Sequence, residues 1–72
     1  MKFYTYGINR AIEDVANAMR DSSDHAPTTI RCALNDALDS ADKDGYQVNF
    51  EYDQSRAVKR VQSILNKLTL GL

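Results

Sequence analysis

Cysteine is almost absent from this chain, because Cys32 is the only one among 72 residues. A single thiol excludes an internal disulfide, and it excludes a metal cage built from several thiolates of one chain. Glycine is also scarce and isolated, at Gly7, Gly45 and Gly71, which excludes a glycine-rich phosphate-binding loop. The lack of disulfides predicts a reducing, cytoplasmic location.

Long hydrophobic runs are missing as well. No apolar stretch approaches the roughly 20 residues of a membrane-spanning helix, and the first four residues do not resemble a secretion signal. Yet 43% of the residues are hydrophobic and 26% are charged, which is typical of a globular domain and too apolar for a disordered chain. We therefore expect one compact intracellular domain over residues 1–72, with no membrane partner and with a small core that a homodimer or another partner would complete.

Aromatic residues are few, and they fall into two short stretches: Phe3, Tyr4 and Tyr6, then Tyr46, Phe50 and Tyr52. Aromatic side chains favour strands, and residues 46–53 alternate strictly between apolar and polar, as a half-buried strand requires. We predict strands over residues 2–6 and 46–53. In the second strand, the side chains expected to face the core are Tyr46, Val48, Phe50 and Tyr52.

Three aliphatic stripes with helical spacing predict three helices. The first begins at Ile8 and stops at the polar cluster 21–24, the second is capped by Thr28 or Thr29, and the third is capped by Asp53 and runs to Gly71. The residues of the three stripes are Ile8, Ala11, Ile12, Val15, Ala16 and Met19, then Ile30, Ala33, Leu34, Ala37, Leu38 and Ala41, then Ala57, Val58, Val61, Ile64, Leu65 and Leu68. Because two helices separate the strands, the chain is expected to reverse at each element, and this makes the strands antiparallel. The predicted fold is α+β, in the order β-α-α-β-α, with a two-stranded antiparallel ribbon packed on three helices.

One loop matches part of a calcium-binding pattern. From Ser40 to Glu51, acids occupy the third and fifth positions as Asp42 and Asp44, and Gly45 occupies the sixth, as in an EF-hand loop. A serine stands at the first ligand position, and the strand pattern that follows is incompatible with a second EF-hand helix. The alternative interpretation, a helix end followed by an Asp-Gly turn, is preferred, so no metal or other cofactor is predicted.

Groups suited to catalysis are also scarce. His25 lies in a polar segment beside residues 22–24, but nucleophilic catalysis requires a rigid mutual geometry and oxyanion donors. A turn between two helices of a small domain does not hold side chains in that way. We therefore predict no catalytic residues and no enzymatic activity.

Charge is distributed unevenly along the chain. All ten acids lie between Glu13 and Asp53, and the charged residues after Asp53 are all cations. The cations of the third helix fall within about 100° of the helical wheel, nearly opposite its apolar stripe. They are Arg56, Lys59, Arg60 and Lys67. Such a face suits an acidic protein or phosphates, and the alternative is an ordinary solvated helix exterior.

A second candidate surface lies on the first strand. If Phe3 and Thr5 face the helices, then Lys2, Tyr4 and Tyr6 face outward, and exposed tyrosines beside a cation are favoured binding anchors. The alternative is a register that places the tyrosines in the core. Together the two surfaces predict a small protein that binds another protein as a regulator or inhibitor. Its size suits a target that belongs to a larger bacterial or phage-related machine.

The first part of the chain also resembles a known family. A short strand followed by two helices, the second opened by residues 28–34 (TTIRCAL), is similar to the ribbon-helix-helix DNA-binding proteins. The resemblance covers about residues 2–41. It implies a dimer that lays a two-stranded ribbon in the major groove, with Lys2, Tyr4 and Tyr6 reading bases and the start of the second helix holding a phosphate. A DNA-binding regulator is thus the alternative to a protein-binding one.

Overall fold

The computed structural model of the protein describes residues 4–70, with side chains as far as Leu68. Its elements are β1 (Thr5–Tyr6), α1 (Ile8–Met19), α2 (Pro27–Lys43), β2 (Gln47–Val48) and α3 (Gln54–Leu70). The three helices and the two-stranded sheet confirm the predicted order. The start of the predicted first strand, at residues 2–3, and the predicted end of the third helix at Gly71 lie outside the described residues.

The three apolar stripes form a single core between the helices. Every residue predicted for these stripes is buried or half-buried, and the largest fully buried side chains are Ile12, Ile30, Leu34, Leu38, Val61 and Leu65. Burying one such side chain contributes about 1.5–3 kcal/mol. Each helix is apolar on one side only, and none within residues 4–70 is long and apolar enough to cross a lipid bilayer.

The start of α2 differs from the predicted one. The helix begins at Pro27, whose missing N–H is not needed in the first turn, and the N-cap is Ala26 rather than a threonine. Asp24 organises this start, because its carboxylate accepts hydrogen bonds from the Ala26 N–H (3.1 Å) and the Thr29 hydroxyl (2.9 Å). These bonds lower the pKa of Asp24, and the bond from the Ala26 N–H has the larger effect. Asp53 caps α3 as predicted, by accepting the Arg56 N–H at 3.1 Å.

The two strands run parallel, so the antiparallel prediction is wrong. Thr5 lies opposite Gln47, and Tyr6 lies opposite Val48. The prediction assumed that each connection reverses the chain and that the strands are long enough to lie along the helices. A two-residue strand spans only about 7 Å. Its direction is therefore set by the turns at its ends and not by helix stacking.

The turn between α2 and β2 is a Schellman motif centred on Gly45. The Tyr46 N–H donates to the Ala41 carbonyl (3.0 Å) and the Gly45 N–H donates to the Asp42 carbonyl (3.1 Å). Gly45 has φ +96°, which is a left-handed conformation that only glycine adopts without strain. This turn sends the chain back past the end of α2 so that Gln47 can donate to the Tyr4 carbonyl at 2.7 Å.

We expect Gly45→Ala to destabilise the fold by about 1–2 kcal/mol, because a Cβ is unfavourable at this positive φ. An added Cβ meets no atom within 4 Å, so the cost is in the backbone and not in packing. Urea denaturation followed by circular dichroism measures the effect. Gly7→Ala is the matched control, because Gly7 has φ −88° and equally open surroundings. An equal loss in both variants would contradict the assignment of strain to Gly45.

The second strand is much shorter than predicted. Tyr46, Val48 and Tyr52 are half-buried against the core, but Phe50 is 48% exposed, so its predicted place in the core is wrong. After Val48 the Glu51 N–H donates to the Asn49 side chain at 2.9 Å, and this local turn ends the extended backbone. The alternating pattern reflects a strand face only where strand pairing continues, and here the pairing covers two residues.

The segment that matches part of the calcium-binding pattern does not form an EF-hand loop. Its first four positions, residues 40–43, are the last turn of α2, and this helical backbone cannot supply the ligands of an EF-hand loop. Among the described residues, no group of three histidine, cysteine or acidic side chains is placed to hold a metal ion. The segment is the helix end and Asp-Gly turn of the preferred interpretation.

Candidate partner-binding surface

The cations predicted on the third helix all project from α3 into solvent. Arg56, Lys59, Arg60 and Lys67 are exposed, and none forms an ion pair with a carboxylate in the part of the chain that the structure describes. Arg60 is nevertheless held in place, because its guanidinium donates to the Asn9 side-chain oxygen of α1 at 2.6 Å. The surface of α3 therefore offers cationic groups that no carboxylate within residues 4–68 neutralises.

A groove between α2 and α3, here called the α2–α3 groove, lies on one side of these cations. Its walls are Pro27, Thr28 and Arg31 of α2 and Ser55, Lys59 and Gln62 of α3, and its volume is about 430 Å³. Val58, which is buried, forms part of its base. Of the described residues that line it, Arg31 and Lys59 are charged and none is acidic. The groove combines two cations with neutral hydrogen-bond donors.

A smaller slot between α1 and α3, here called the α1–α3 slot, has a different character. Its volume is about 200 Å³, and its apolar surface comes from Ile8, Ile12 and Ala57. Three charged residues lie at its edge, namely Arg56, Arg60 and Asp53. The Asp53 carboxylate already accepts the Arg56 N–H as the cap of α3. The slot suits an apolar side chain that is accompanied by a negative charge.

The predicted basic face is flanked by two depressions, one toward α2 and one toward α1. Helical residues advance by about 100° each, so Lys59 lies about 60° from Arg56 and about 100° from Arg60 around the helix. Lys59 faces the α2–α3 groove, whereas Arg56 and Arg60 face the α1–α3 slot. Lys67 lines neither, since it lies seven residues beyond Arg60, about 10 Å further along the helix.

Only one of the two tyrosines predicted to be binding anchors is exposed. Tyr4 is 74% exposed, whereas Tyr6 is 7% exposed and belongs to the core, so the outward placement of Tyr6 is wrong. Thr5, the residue expected to face inward, is exposed instead. A shift of one residue in register exchanges the two faces of a strand. Lys2, the cation predicted beside these tyrosines, lies outside the described residues.

Tyr6 is held by a cluster of aromatic and charged groups. Its hydroxyl donates to the Asp14 carboxylate, and its ring lies edge-on to Tyr46 with centroids 6.1 Å apart. The Arg10 guanidinium lies 5.3 Å from the Tyr6 ring centroid and 5.9 Å from that of Tyr46. The pKa of Tyr6 is raised to about 12, mainly by burial and next by the hydrogen bond to Asp14. The cluster fastens the two-stranded ribbon to α1.

His25 also makes a structural contact. Its Nε2 lies 2.8 Å from the Met19 carbonyl oxygen, and because a carbonyl only accepts, the imidazole donates here. The same carbonyl, at the end of α1, also accepts the Ser22 N–H at 3.0 Å, so the imidazole adds a second bond to it. The neighbouring Asp24 is engaged with Ala26 and Thr29. His25 and Asp24 therefore serve the connection between α1 and α2.

Arg31 is the residue of this surface that sequence reasoning missed. It lies 28 positions before Lys59 in the chain, and no periodic or motif signal connects the two. Only the docking of α2 on α3 brings them to one groove. No protein-family model, curated protein or solved structure matches the chain, so its function is inferred from the geometry of this surface.

Proposed function

We propose that the protein is a non-enzymatic regulator or inhibitor that binds an acidic segment of another protein in the α2–α3 groove. The observation that carries this proposal is the lining of the groove, in which Arg31 and Lys59 stand among neutral side chains and no residue of the described part of the chain is acidic. Carboxylates bind well to arginine and to neutral donors such as the hydroxyls of Thr28 and Ser55. An acidic segment would gain charge-assisted hydrogen bonds without meeting a repelling carboxylate.

The size of the charged surface supports a protein partner over duplex DNA. Even if all five exposed cations of α2 and α3 described above neutralised phosphates, the salt slope would be only about −4.5, whereas DNA-binding proteins commonly make 6–10 phosphate contacts. The net charge of the chain is −1, so there is little long-range attraction to a polyanion. In addition, β1 pairs with β2 of the same chain and Tyr6 is buried, which leaves little ribbon surface for reading bases.

We expect the double substitution Arg31→Glu and Lys59→Glu to weaken binding of an acidic peptide about tenfold, because each reversal replaces an attraction with a repulsion. The probe is a fluorescein-labelled peptide of alternating glutamate and serine, and its anisotropy is measured at low and at physiological salt. The loss should shrink as salt rises, since exposed charges are screened. The matched control is Lys43→Glu with Lys67→Glu, which changes the net charge equally outside the groove.

Equal weakening by the control pair would show attraction by overall charge, and it would contradict a site in the groove. A gel-shift series with duplex DNA at low salt tests the alternative. We expect no saturable complex at micromolar protein. Tight, saturable duplex binding by a dimer would overturn the protein-partner proposal in favour of the ribbon-helix-helix-like function.

A further inference from the structure

Phe50 is an apolar side chain without a place in the core of its own chain. With Tyr4 it is one of the two large hydrophobic residues that are exposed in the described part of the chain. It lies in the connection between β2 and α3 and is followed directly by the exposed acid Glu51. Burying a phenylalanine side chain is strongly favourable, so an exposed one next to a charge is a suitable interface anchor.

The α1–α3 slot has the complementary properties. Its apolar lining comprises Ile8, Ile12, Tyr52 and Ala57, and its volume is about 200 Å³. The charged groups at its edge include Arg60, whose bond to Asn9 leaves most of its N–H donors free. An aromatic ring with a neighbouring carboxylate complements the apolar lining and the arginines of the slot.

Phe50 does not line the slot of its own chain, yet it lies close to it in the fold. Tyr52 and Asp53, two and three residues after Phe50, are part of the slot lining. Anchor and slot therefore belong to one continuous patch. A twofold symmetric dimer requires a patch of this kind, because each copy must supply both complementary halves of the interface.

We propose that two copies of this chain associate through this patch, with Phe50 of each copy inserted into the α1–α3 slot of the other. Glu51 then pairs with Arg60 of the second copy. Asp53 would repel Glu51, but Asp53 lies seven residues before Arg60, about 10 Å along α3. Its carboxylate is also engaged in capping the helix. The negative charge of Glu51 is therefore directed to the Arg60 end of the slot.

The proposed dimer goes beyond the proposed function and does not depend on it. The α1–α3 slot lies toward α1 and the α2–α3 groove lies toward α2, so dimerisation through the slot leaves both grooves of the dimer open. Two open grooves on one particle allow bivalent binding of a partner that has two acidic segments, which raises the overall affinity without new contacts.

Sedimentation equilibrium of the full chain over micromolar to millimolar concentrations tests the dimer. The wild type should dimerise reversibly, and Phe50→Ser should weaken the dimer at least about tenfold while the helical circular dichroism is unchanged. Tyr4→Ser is the matched control, since it removes the other exposed aromatic side chain outside the slot. We expect this control to dimerise like the wild type.

A charge exchange then tests the pairing of Glu51 with Arg60. Arg60→Glu and Glu51→Arg should each weaken the dimer, and the double variant should restore it, because the pair is re-formed with reversed signs. A wild type that stays monomeric throughout overturns the inference. So does dissociation by Tyr4→Ser with no effect of Phe50→Ser, which would indicate a dimer formed through β1. Failure of the double variant to recover would overturn the assigned contact.

Discussion

Leu34→Ala is expected to lower the free energy of unfolding by about 3–5 kcal/mol. Leu34 lies in the middle of α2 and is completely buried, so the truncation leaves a cavity between the helices. Domains of this size rarely have more than about 3–5 kcal/mol of stability in total. The variant should therefore be largely unfolded at room temperature, as measured by far-ultraviolet circular dichroism and urea denaturation.

Phe50→Ala is the informative comparison, because the alternating pattern of residues 46–53 predicts a core aromatic at this position. With Phe50 48% exposed, we expect a loss below about 1 kcal/mol in protein too dilute to associate. Leu68→Ala, at a half-buried position near the end of α3, should fall between the two. Equal losses for Leu34→Ala and Phe50→Ala would contradict the core described here.

Tyr6→Ala is expected to destabilise the protein by about 3–5 kcal/mol, although Tyr6 belongs to a strand of only two residues. The substitution removes the ring contact with Tyr46, the stacked Arg10 guanidinium and the hydrogen bond to Asp14. The Asp14 carboxylate and Arg10 then lose a partner each. Thermal and urea unfolding measure the loss. Tyr4→Ala should cost less than about 1 kcal/mol, because Tyr4 is 74% exposed.

The pH dependence of stability provides a second measurement of the same contact. The folded-state pKa of Tyr6 is raised from 10.0 to about 12, so folding favours the neutral phenol. This contribution is complete below pH 10 and is lost as the pH rises from 10 to about 12. Burial also raises the pKa of Tyr52, which adds a loss of the same sign. Tyr6→Phe should therefore lose less stability than the wild type as the pH rises above 10, and the remaining loss comes from Tyr52. An unchanged alkaline profile in Tyr6→Phe would contradict the buried hydrogen bond.

These stability effects and the proposed interactions involve different parts of the molecule. The aromatic cluster around Tyr6 fixes the ribbon at one end of α1, whereas the exposed cations lie on α3. Charge reversals at Arg31, Lys59 or Arg60 remove no buried contact, so they should leave the fold intact. Loss of binding in those variants is therefore attributable to the surface itself.

Local patterns in the sequence were sufficient for the three helices and for the apolar stripes that they bury. The stripes around Ile12, Leu34 and Val61 recur with the period of the helix, and a chain with three such stripes buries them in one core. Asp53 was identified as a cap because capping depends only on a side chain and on the backbone N–H groups two or three residues later. These features are decided within one element, so the sequence alone determined them.

The features that depend on how distant elements meet were decided only by the tertiary structure. The parallel direction of the strands follows from the turn at Gly45, and the inward orientation of Tyr6 follows from its contacts with Asp14 and Tyr46. Arg31 joins Lys59, and Ile8 approaches Arg60, only because α2 and α1 both pack against α3 and leave one depression along each contact. Local periodicity shows which side of a helix is apolar, but it does not show which helix covers that side. The candidate binding surface lies at those helix contacts, so it became visible only in the folded molecule.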